Sequence, residues 1–88
     1  DCPELLKAAD MFGIDGLKTM CESIMLKHLN HDNAASMLLT ADMHKATRLR
    51  ERCKSYIVEN LKSVAKTTTF AKMANTRPDL TVEVLRRL

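Results

Sequence analysis

Cysteine and histidine side chains could ligate a metal ion or, beside a base, supply a nucleophile. No C-x-x-C pair and no H-x-x-x-H pair occurs, so the spacing of a structural zinc site is missing. Cys53 is flanked by Arg52 and Lys54, which would lower the pKa of an exposed thiol. Its place in an apolar stripe instead favours an inward-facing thiol that packs as a small hydrophobe. We therefore predict no metal site, no cofactor site and no catalytic residue. The side chains considered are Cys2, Cys21, Cys53, His28, His31 and His44.

Two aspartates stand in matching sequence contexts and could act as a pair of acid and base groups. Asp10 and Asp42 each lie in an Ala-Asp-Met triplet, far apart along the chain. Acid–base work by two carboxylates requires both to reach the same reacting group, and nothing in this spacing brings them together. We expect each aspartate to form a hydrogen bond or an ion pair on a helix surface.

The strongest charge feature is a run of basic residues, namely Lys45, Arg48, Arg50, Arg52 and Lys54. Lys45, Arg48 and Arg52 share one face of a helix, and such a face could contact phosphates. Glu51 interrupts the run, and no aromatic residue nearby offers a platform for stacking bases. A solvated helix face is the favoured interpretation, and a docking face for an acidic protein comes second. A basic helical nucleic-acid-binding domain is the alternative from another class.

The composition indicates which elements must position these side chains. The chain has 88 residues, 45% apolar and 28% charged, with two glycines and two prolines. So few turn formers among many Leu, Ala, Met, Lys and Glu residues predict an all-α domain.

The net charge of +3 does not require a nucleic acid or a membrane as partner, and the longest uncharged run has nine residues. Three widely spaced cysteines favour a reducing, intracellular compartment, and without a starting methionine we expect a piece of a longer protein.

Apolar periodicity divides the chain into helices. Pro3 suits a first turn capped by Asp1 or Cys2, Gly13 ends that helix, and Asp15 is the predicted N-cap of the next. We predict that Lys66 to Thr69 form a connector between two helices. The predicted helices are residues 3–12, 15–29, 32–44, 47–60 with an extra turn near Val64, 70–74 and 78–88.

The inward faces of these helices follow from their apolar stripes. Met25 and Leu26 stand off the stripe of the second helix, where core packing is favoured over a partner-facing surface. The predicted stripes are Leu5, Leu6, Ala8, Ala9 and Phe12 in the first helix, Leu17, Met20, Cys21, Ile24 and His28 in the second, and Leu49, Cys53, Tyr56, Ile57 and Leu61 in the fourth.

A constant shift along the chain aligns the first helix pair with the second. The matching pairs are Leu6 with Leu38, Ala9 with Ala41, Asp10 with Asp42, Met11 with Met43, Leu17 with Leu49, Cys21 with Cys53 and Leu29 with Leu61. Stacked helical hairpins of this kind build interaction surfaces. Amphipathic periodicity alone can also produce such matches, so the repeat is one of two interpretations.

Several motifs carry a resemblance to a known family. They are Leu5-Leu6-x-Ala8-Ala9-Asp10, Leu17-Lys18-x-Met20-Cys21-Glu22, Asn33-Ala34-Ala35-x-x-Leu38-x-x-Ala41-Asp42-x-His44, then Leu49 and Tyr56-Ile57, and a tail with Phe70, Met73, Pro78, Leu80 and Glu83. Over essentially its whole length the chain resembles the speckle-type POZ proteins, the MATH-BTB adaptors. In that comparison residues 1–30 correspond to the last helices of a BTB/POZ domain. Residues 31–66 correspond to the 3-box helix pair, and residues 67–88 to a truncated BACK-like end.

The resemblance implies a substrate adaptor of a cullin-3 RING ubiquitin ligase, found in nucleus and cytoplasm. Its expected partners are the cullin-3 N-terminal domain, further copies of the chain as a dimer or higher oligomer, and ubiquitination substrates held by an N-terminal MATH domain. The implied cullin-binding cleft is Leu26, Leu29, Asn30, Met37 and Leu38. The implied self-association residues are Phe70, Met73, Leu85 and Leu88. A Trp is commoner in the family at Phe70 and a Tyr is familiar at Leu85, which predicts weaker self-association.

The first helix pair should also expose an apolar face, because a BTB sheet would cover it in such proteins. We therefore expect the chain alone to be dimeric, domain-swapped or marginally stable.

Overall fold

The structure, a computed structural model, describes residues 2–88, with side chains described from Glu4 onward. These residues form seven α-helices and contain no strand, which confirms the predicted all-α class. The predicted cap of the first helix, Asp1 or Cys2, lies outside the described side chains. The helices are α1 (Cys2–Phe12), α2 (Asp15–Lys27), α3 (Ala34–Met43), α4 (Thr47–Glu59), α5 (Leu61–Val64), α6 (Thr68–Thr76) and α7 (Pro78–Leu85).

Most predicted boundaries hold within two or three residues, and the differences have local causes. Helix α6 begins at Thr68 rather than Phe70, because the Thr67 hydroxyl accepts a hydrogen bond from the Phe70 amide at 3.2 Å. The predicted connector at 66–69 is therefore wrong for Thr68 and Thr69, which are helical. The predicted cap of α2 is also wrong, since Ile14 is the N-cap and Asp15 the first helical residue.

The two hairpins repeat each other in backbone detail. Gly13 and Lys45, which the shift of the internal repeat aligns, both adopt positive φ, at 66° and 57°. After each of them an amide bonds back to a helix carbonyl, from Ile14 to Ala9 at 2.9 Å and from Ala46 to Ala41 at 2.8 Å. This is the Schellman ending of a helix, used twice at matching positions.

The side chains that bridge each hairpin repeat as well. Lys18 pairs with Asp10 at 3.3 Å, and Arg50 pairs with Asp42 at 2.9 Å. Each pair joins a helix to its hairpin partner, as we expected for the two aspartates. Helices α2 and α4 each have 13 residues, and the same shift carries the start of one onto the start of the other. The structure therefore confirms the internal repeat.

The core lies where the two hairpins and the last helices meet. Helix α4 contacts α2, α3 and α7, while α6 packs on α3 and α7. The core side chains are Leu6, Cys21, Met25, Ala34, Ala35, Leu38, Ala41, Ala46, Leu49, Cys53, Ile57, Val64, Met73, Leu80 and Val84. Leu49, Cys53 and Ile57 of the predicted α4 stripe belong to this core, whereas Tyr56 and Leu61 are partly buried against it.

The predicted inward face of α2 is wrong by roughly a quarter of a turn, given about 100° per residue. Met25 and Cys21 are buried, whereas Met20 and Ile24 are exposed and His28 faces solvent. Packing against α4 decides the orientation, because Glu22 must reach the start of that helix. The favoured interpretation of Met25 as a core residue is confirmed.

The first hairpin leaves much apolar surface uncovered. Leu5 and Phe12, both predicted to face inward, are 46% and 74% exposed. Within the described residues α1 has close contacts mainly with α2, so its outer side has no covering element. The expected uncovered apolar face on the first helix pair is confirmed. The exposed large apolar side chains of this hairpin are Leu5, Met11, Phe12, Ile14, Met20 and Ile24.

Candidate protein-interaction surface

The junction between α2 and α3 is fixed by two asparagines. Asn30 Oδ1 accepts hydrogen bonds from the amides of Asp32 and Asn33, at 2.9 and 3.0 Å. Asn33 Oδ1 accepts in return from the Asn30 amide at 2.8 Å, and Asn33 Nδ2 donates to the His28 carbonyl at 2.7 Å. These local bonds hold the chain out of helical conformation between His28 and Ala34. They explain why α3 begins at Ala34 rather than at residue 32.

The predicted cleft residues divide into surface and core at this junction. Leu26, Leu29 and Met37 are partly buried and pack against the core, so each presents part of its side chain outward. Leu38 is fully buried and supplies support rather than contact surface in this conformation. Asn30 is exposed, but its side-chain oxygen is used by the loop. Three of the five predicted residues are therefore partly accessible, Leu26 and Leu29 at and just after the end of α2 and Met37 in the first half of α3.

The predicted self-association residues divide in the same way. Leu85 and Leu88 are 41% and 72% exposed, and Val82, which the sequence did not single out, is 46% exposed. Phe70 is partly buried against the core, and Met73 is completely buried. An apolar surface therefore exists at α7 and the residues after it, while Met73 holds α6 in place from inside.

An ion-pair network attaches α7 to the second hairpin. Arg50 contacts Asp42 at 2.9 Å and Glu83 at 3.1 Å, and Arg77 contacts Asp42 at 2.8 Å. Burial alone would raise the pKa of Asp42, but hydrogen bonds from Arg77 and Arg50 outweigh it and lower that pKa. The carboxylate of Asp42 therefore joins α3 to α4 and to the start of α7.

The same network extends along α4. Arg87 donates a hydrogen bond to Glu51, and this bond is the main reason why the pKa of Glu51 is lowered. Lys54, with a side chain only 6% exposed, lies 3.7 Å from Glu51 and 3.8 Å from Glu83. Lys54 and Glu51 therefore belong to the internal bracing of the fold, although sequence reasoning grouped Lys54 with a surface run.

Glu22 caps a helix to which it does not belong. Its Oε2 accepts a hydrogen bond from the Leu49 amide in the first turn of α4, at 3.0 Å, and the side chain is buried. Ala46, the N-cap of α4, cannot supply this bond. A carboxylate at a helix N-terminus is favoured by the helix dipole. This bond from Leu49 to Glu22 therefore stabilises the packing of α2 against α4. Sequence analysis missed this role because the acceptor and its donor lie 27 residues apart.

Two of the cysteines that were considered as chemically active residues are buried in the core. Burial raises the pKa of the Cys53 thiol to about 12, so the thiolate is scarce at neutral pH. Cys21 is likewise buried in the core. Among residues 4–88, whose side chains are described, no group of three or more His, Cys, Asp and Glu side chains converges in a way that could hold a metal ion. No helix in that range is long and apolar enough to cross a membrane.

Comparison with known proteins decides what kind of module this is. Residues 33–85, more than half of the chain, match the family model described as the BPM/SPOP BACK domain. The chain belongs to the BPM/SPOP BACK-domain family. The matched region starts at the loop before α3 and ends with α7, so it includes the second hairpin and the ion pairs among Asp42, Arg50, Arg77 and Glu83.

Individual relatives agree with this family. The chain is 35% identical over 77 residues, 88% of its length, to mouse TD and POZ domain-containing protein 5, and covers 23% of that protein. It is 33% identical over 85 residues to mouse TD and POZ domain-containing protein 4, again 23% of the relative. Protein maternal effect lethal 26 of Caenorhabditis elegans is 31% identical over 84 residues, 21% of its length. The chain therefore spans less than a quarter of the length of each of these relatives. The names of the two mouse proteins include a POZ domain.

Proposed function

We propose that this chain is a protein-interaction segment of a substrate adaptor for a cullin-3 RING ubiquitin ligase. The observation that carries the proposal is the BPM/SPOP BACK-domain match over residues 33–85. In this proposal the chain carries out no reaction itself, and recruited enzymes perform the chemistry. Residues 1–30 would complete a BTB/POZ domain, 31–66 would form the 3-box and 67–88 the truncated BACK-like end.

The accessible part of the predicted cullin cleft supports this role. Leu26, Leu29 and Met37 are partly exposed beside a loop that the asparagines hold rigid. Half-buried apolar side chains next to a fixed loop suit contact with an incoming helix or extended segment of a partner. Leu38 would support the cleft from the core, and Asn30 would fix the angle between α2 and α3.

Titration of the chain with the cullin-3 N-terminal domain tests the proposal. We expect Leu29→Asp and Met37→Asp to weaken binding by about tenfold or more, because a charge would replace a desolvated apolar contact. Ala65→Asp is the matched control, since it places the same charge at an exposed residue outside the surfaces proposed for binding. Circular dichroism must show unchanged helicity in all three variants.

Two results would contradict this role. One is cullin binding by Leu29→Asp and Met37→Asp that equals that of the parent chain. The other is failure of the parent chain to bind cullin, both alone and when extended through a POZ domain like those of its relatives.

Self-association is the second part of the proposal. The exposed Leu85 and Leu88, with Val82 beside them, offer an apolar surface at α7, and such patches favour association. Light scattering over a concentration series should show a dimer or larger species that Leu85→Asp shifts toward monomer. If Met20→Asp dissociates the assembly and Leu85→Asp does not, the uncovered face of the first hairpin is the interface and the proposed α7 interface is wrong.

A further inference from the structure

Two sets of basic residues with different surroundings lie on helix α4 and in the turn before it. Arg50 and Lys54 face α7 and are engaged by Asp42, Glu51 and Glu83. The second set, which we call the basic ridge, is Lys45, Arg48 and Arg52. All three residues of the basic ridge are exposed, and none of their side chains has an ion pair or hydrogen bond with another described residue.

The acidic residue that interrupts this run in sequence does not neutralise the basic ridge. Glu51 is held by Arg87, Arg50 and Lys54, and within the described residues it forms no ion pair with the basic ridge. The three cations of the basic ridge are therefore exposed and not paired with another side chain in the described part of the chain. In sequence alone Glu51 counted against a basic surface.

The basic ridge is unfavourable for the fold that carries it. Arg48 and Arg52 are four residues apart on one helix face, where like charges repel. Arg48 and Lys45 also lie at the N-terminus of α4, where cations oppose the helix dipole, and the first turn of α4 contains no acidic residue. The Glu22 carboxylate that caps α4 offsets part of this cost, but no described side chain pairs with the three cations, and a partner of opposite charge would complement them.

An apolar side chain lies next to the basic ridge. Met43, at the end of α3 and two residues before Lys45, is 69% exposed. Methionine adapts to varied apolar partners. An occupant that satisfies both features must carry negative charge and at least one apolar side chain.

We propose that the basic ridge and Met43 together dock an acidic peptide segment, bearing an apolar residue, of a partner protein. A peptide suits this surface better than a nucleic acid for two reasons. Three cations neutralise few phosphates, which gives weak salt-dependent binding to nucleic acid. Tyr56, the aromatic residue of α4, is half-buried and packs on His31 at 5.9 Å between ring centroids, so it offers no free stacking platform.

The basic ridge is separate from the proposed cullin cleft. Met43 is the last residue of α3 and Met37 lies in its first half, about 9 Å away along the axis at about 1.5 Å per residue. The two proposals can therefore fail independently. Leu29→Asp should leave binding at the basic ridge unchanged.

Fluorescence anisotropy with a labelled peptide tests the docking site. The probe is a short peptide of glutamates and aspartates with a leucine at every fourth position. We expect Arg48→Glu combined with Arg52→Glu to weaken its binding by about tenfold or more, since charge-assisted contacts are lost and repulsion replaces them. Met43→Ser should weaken it by about threefold, through loss of apolar burial alone.

The matched control changes the same total charge elsewhere. Lys62→Glu with Lys72→Glu alters two exposed lysines outside the basic ridge, and binding should change by less than about twofold. Equal weakening by both double variants would mean that only net charge matters, and would overturn the proposal. Absence of peptide binding by the parent chain would also overturn it. So would tighter binding to a random DNA duplex that the ridge variant abolishes, because the occupant would then be a nucleic acid.

Discussion

At the scale of single residues, the capping bond from Glu22 is the clearest case of one side chain joining two helices. Glu22→Ala removes the acceptor for the Leu49 amide and leaves that amide buried without a partner. We expect the free energy of unfolding to fall by about 1–3 kcal/mol. Urea unfolding followed by circular dichroism measures this loss.

Two further variants separate the capping bond from simple charge removal. Glu22→Gln keeps an acceptor oxygen, so its loss should be smaller than that of the alanine variant. Glu59→Ala, at an exposed carboxylate in the last turn of α4, should have little effect. A Glu22→Ala chain as stable as the parent would contradict the role that we assign to this residue.

Residue types in the sequence predicted some of this chemistry but not its geometry. The inert, buried Cys53 and the separate ion pairs of Asp10 and Asp42 followed from stripe position and spacing. Glu22 and Lys54 did not, because a polar residue next to an apolar stripe has no sequence signal for a partner on another helix. Only the packing of α2 and α7 against α4 shows where these charges point.

At the scale of elements, we expect substitutions at equivalent positions of the two hairpin turns to change stability in opposite directions. Lys45 adopts positive φ where its counterpart in the first hairpin is Gly13. Lys45→Gly should stabilise the chain by about 0.5–1 kcal/mol, since relief of the left-handed conformation exceeds the entropy cost of glycine.

The reciprocal change, Gly13→Ala, should destabilise by about 1 kcal/mol. No side chain or backbone atom lies within 4 Å of the added Cβ, so the cost is conformational and not a clash. Thermal unfolding of the two variants tests both signs. Stabilisation by Gly13→Ala or destabilisation by Lys45→Gly would contradict the Schellman assignment.

The attachment of α7 to α3 and α4 should depend on pH. Because the pKa of folded Asp42 lies below its ordinary value, the carboxylate contributes stability above that ordinary value, about 4. This contribution is lost as the pH falls through the lowered folded pKa. The melting temperature should therefore decline below about pH 4.

Asp42→Asn isolates this contribution. The variant should be less stable at neutral pH, by about 1 kcal/mol, and its melting temperature should fall less steeply with acidification. If the parent and the variant decline in parallel, Asp42 is not the group that titrates.

The positions of the helices along the chain were largely predictable, whereas the rotation of each helix about its own axis was not. Glycine and proline marked the end of α1 and the start of α7, and apolar spacing located α4. The inward face of α2 could not be read from its stripe, because Met20 and Ile24 are as apolar as Met25 and only the neighbouring helix distinguishes them. Thr67 as the cap of α6 was hidden within a run of three threonines.

At the scale of the whole molecule, the chain presents three different outward surfaces on one helical frame. The half-buried junction of Leu26, Leu29 and Met37 is the proposed cullin cleft. The region of α7 around Leu85 is the proposed self-association surface, and the basic ridge is the proposed docking site for an acidic peptide. The proposed cullin cleft and the basic ridge belong to the two hairpins, each of which buries one side and leaves another free, whereas the proposed self-association surface belongs to α7.

The uncovered face of the first hairpin makes the chain sensitive to what lies next to it. Exposed apolar side chains there, including Phe12 and Met11, should bind a hydrophobic dye such as ANS. Extension of the chain through a POZ domain like those of its relatives should reduce this dye binding and raise the melting temperature. Dye fluorescence that does not change on extension would contradict the expected covering of this face.

Hydrogen–deuterium exchange of the chain with and without the cullin-3 N-terminal domain tests the central claim most directly. We predict that the cullin slows amide exchange from the end of α2 through the first turn of α3, around Leu29 and Met37, and leaves the basic ridge unchanged. Protection confined to α4 or α7, with none at the α2–α3 junction, would contradict the account.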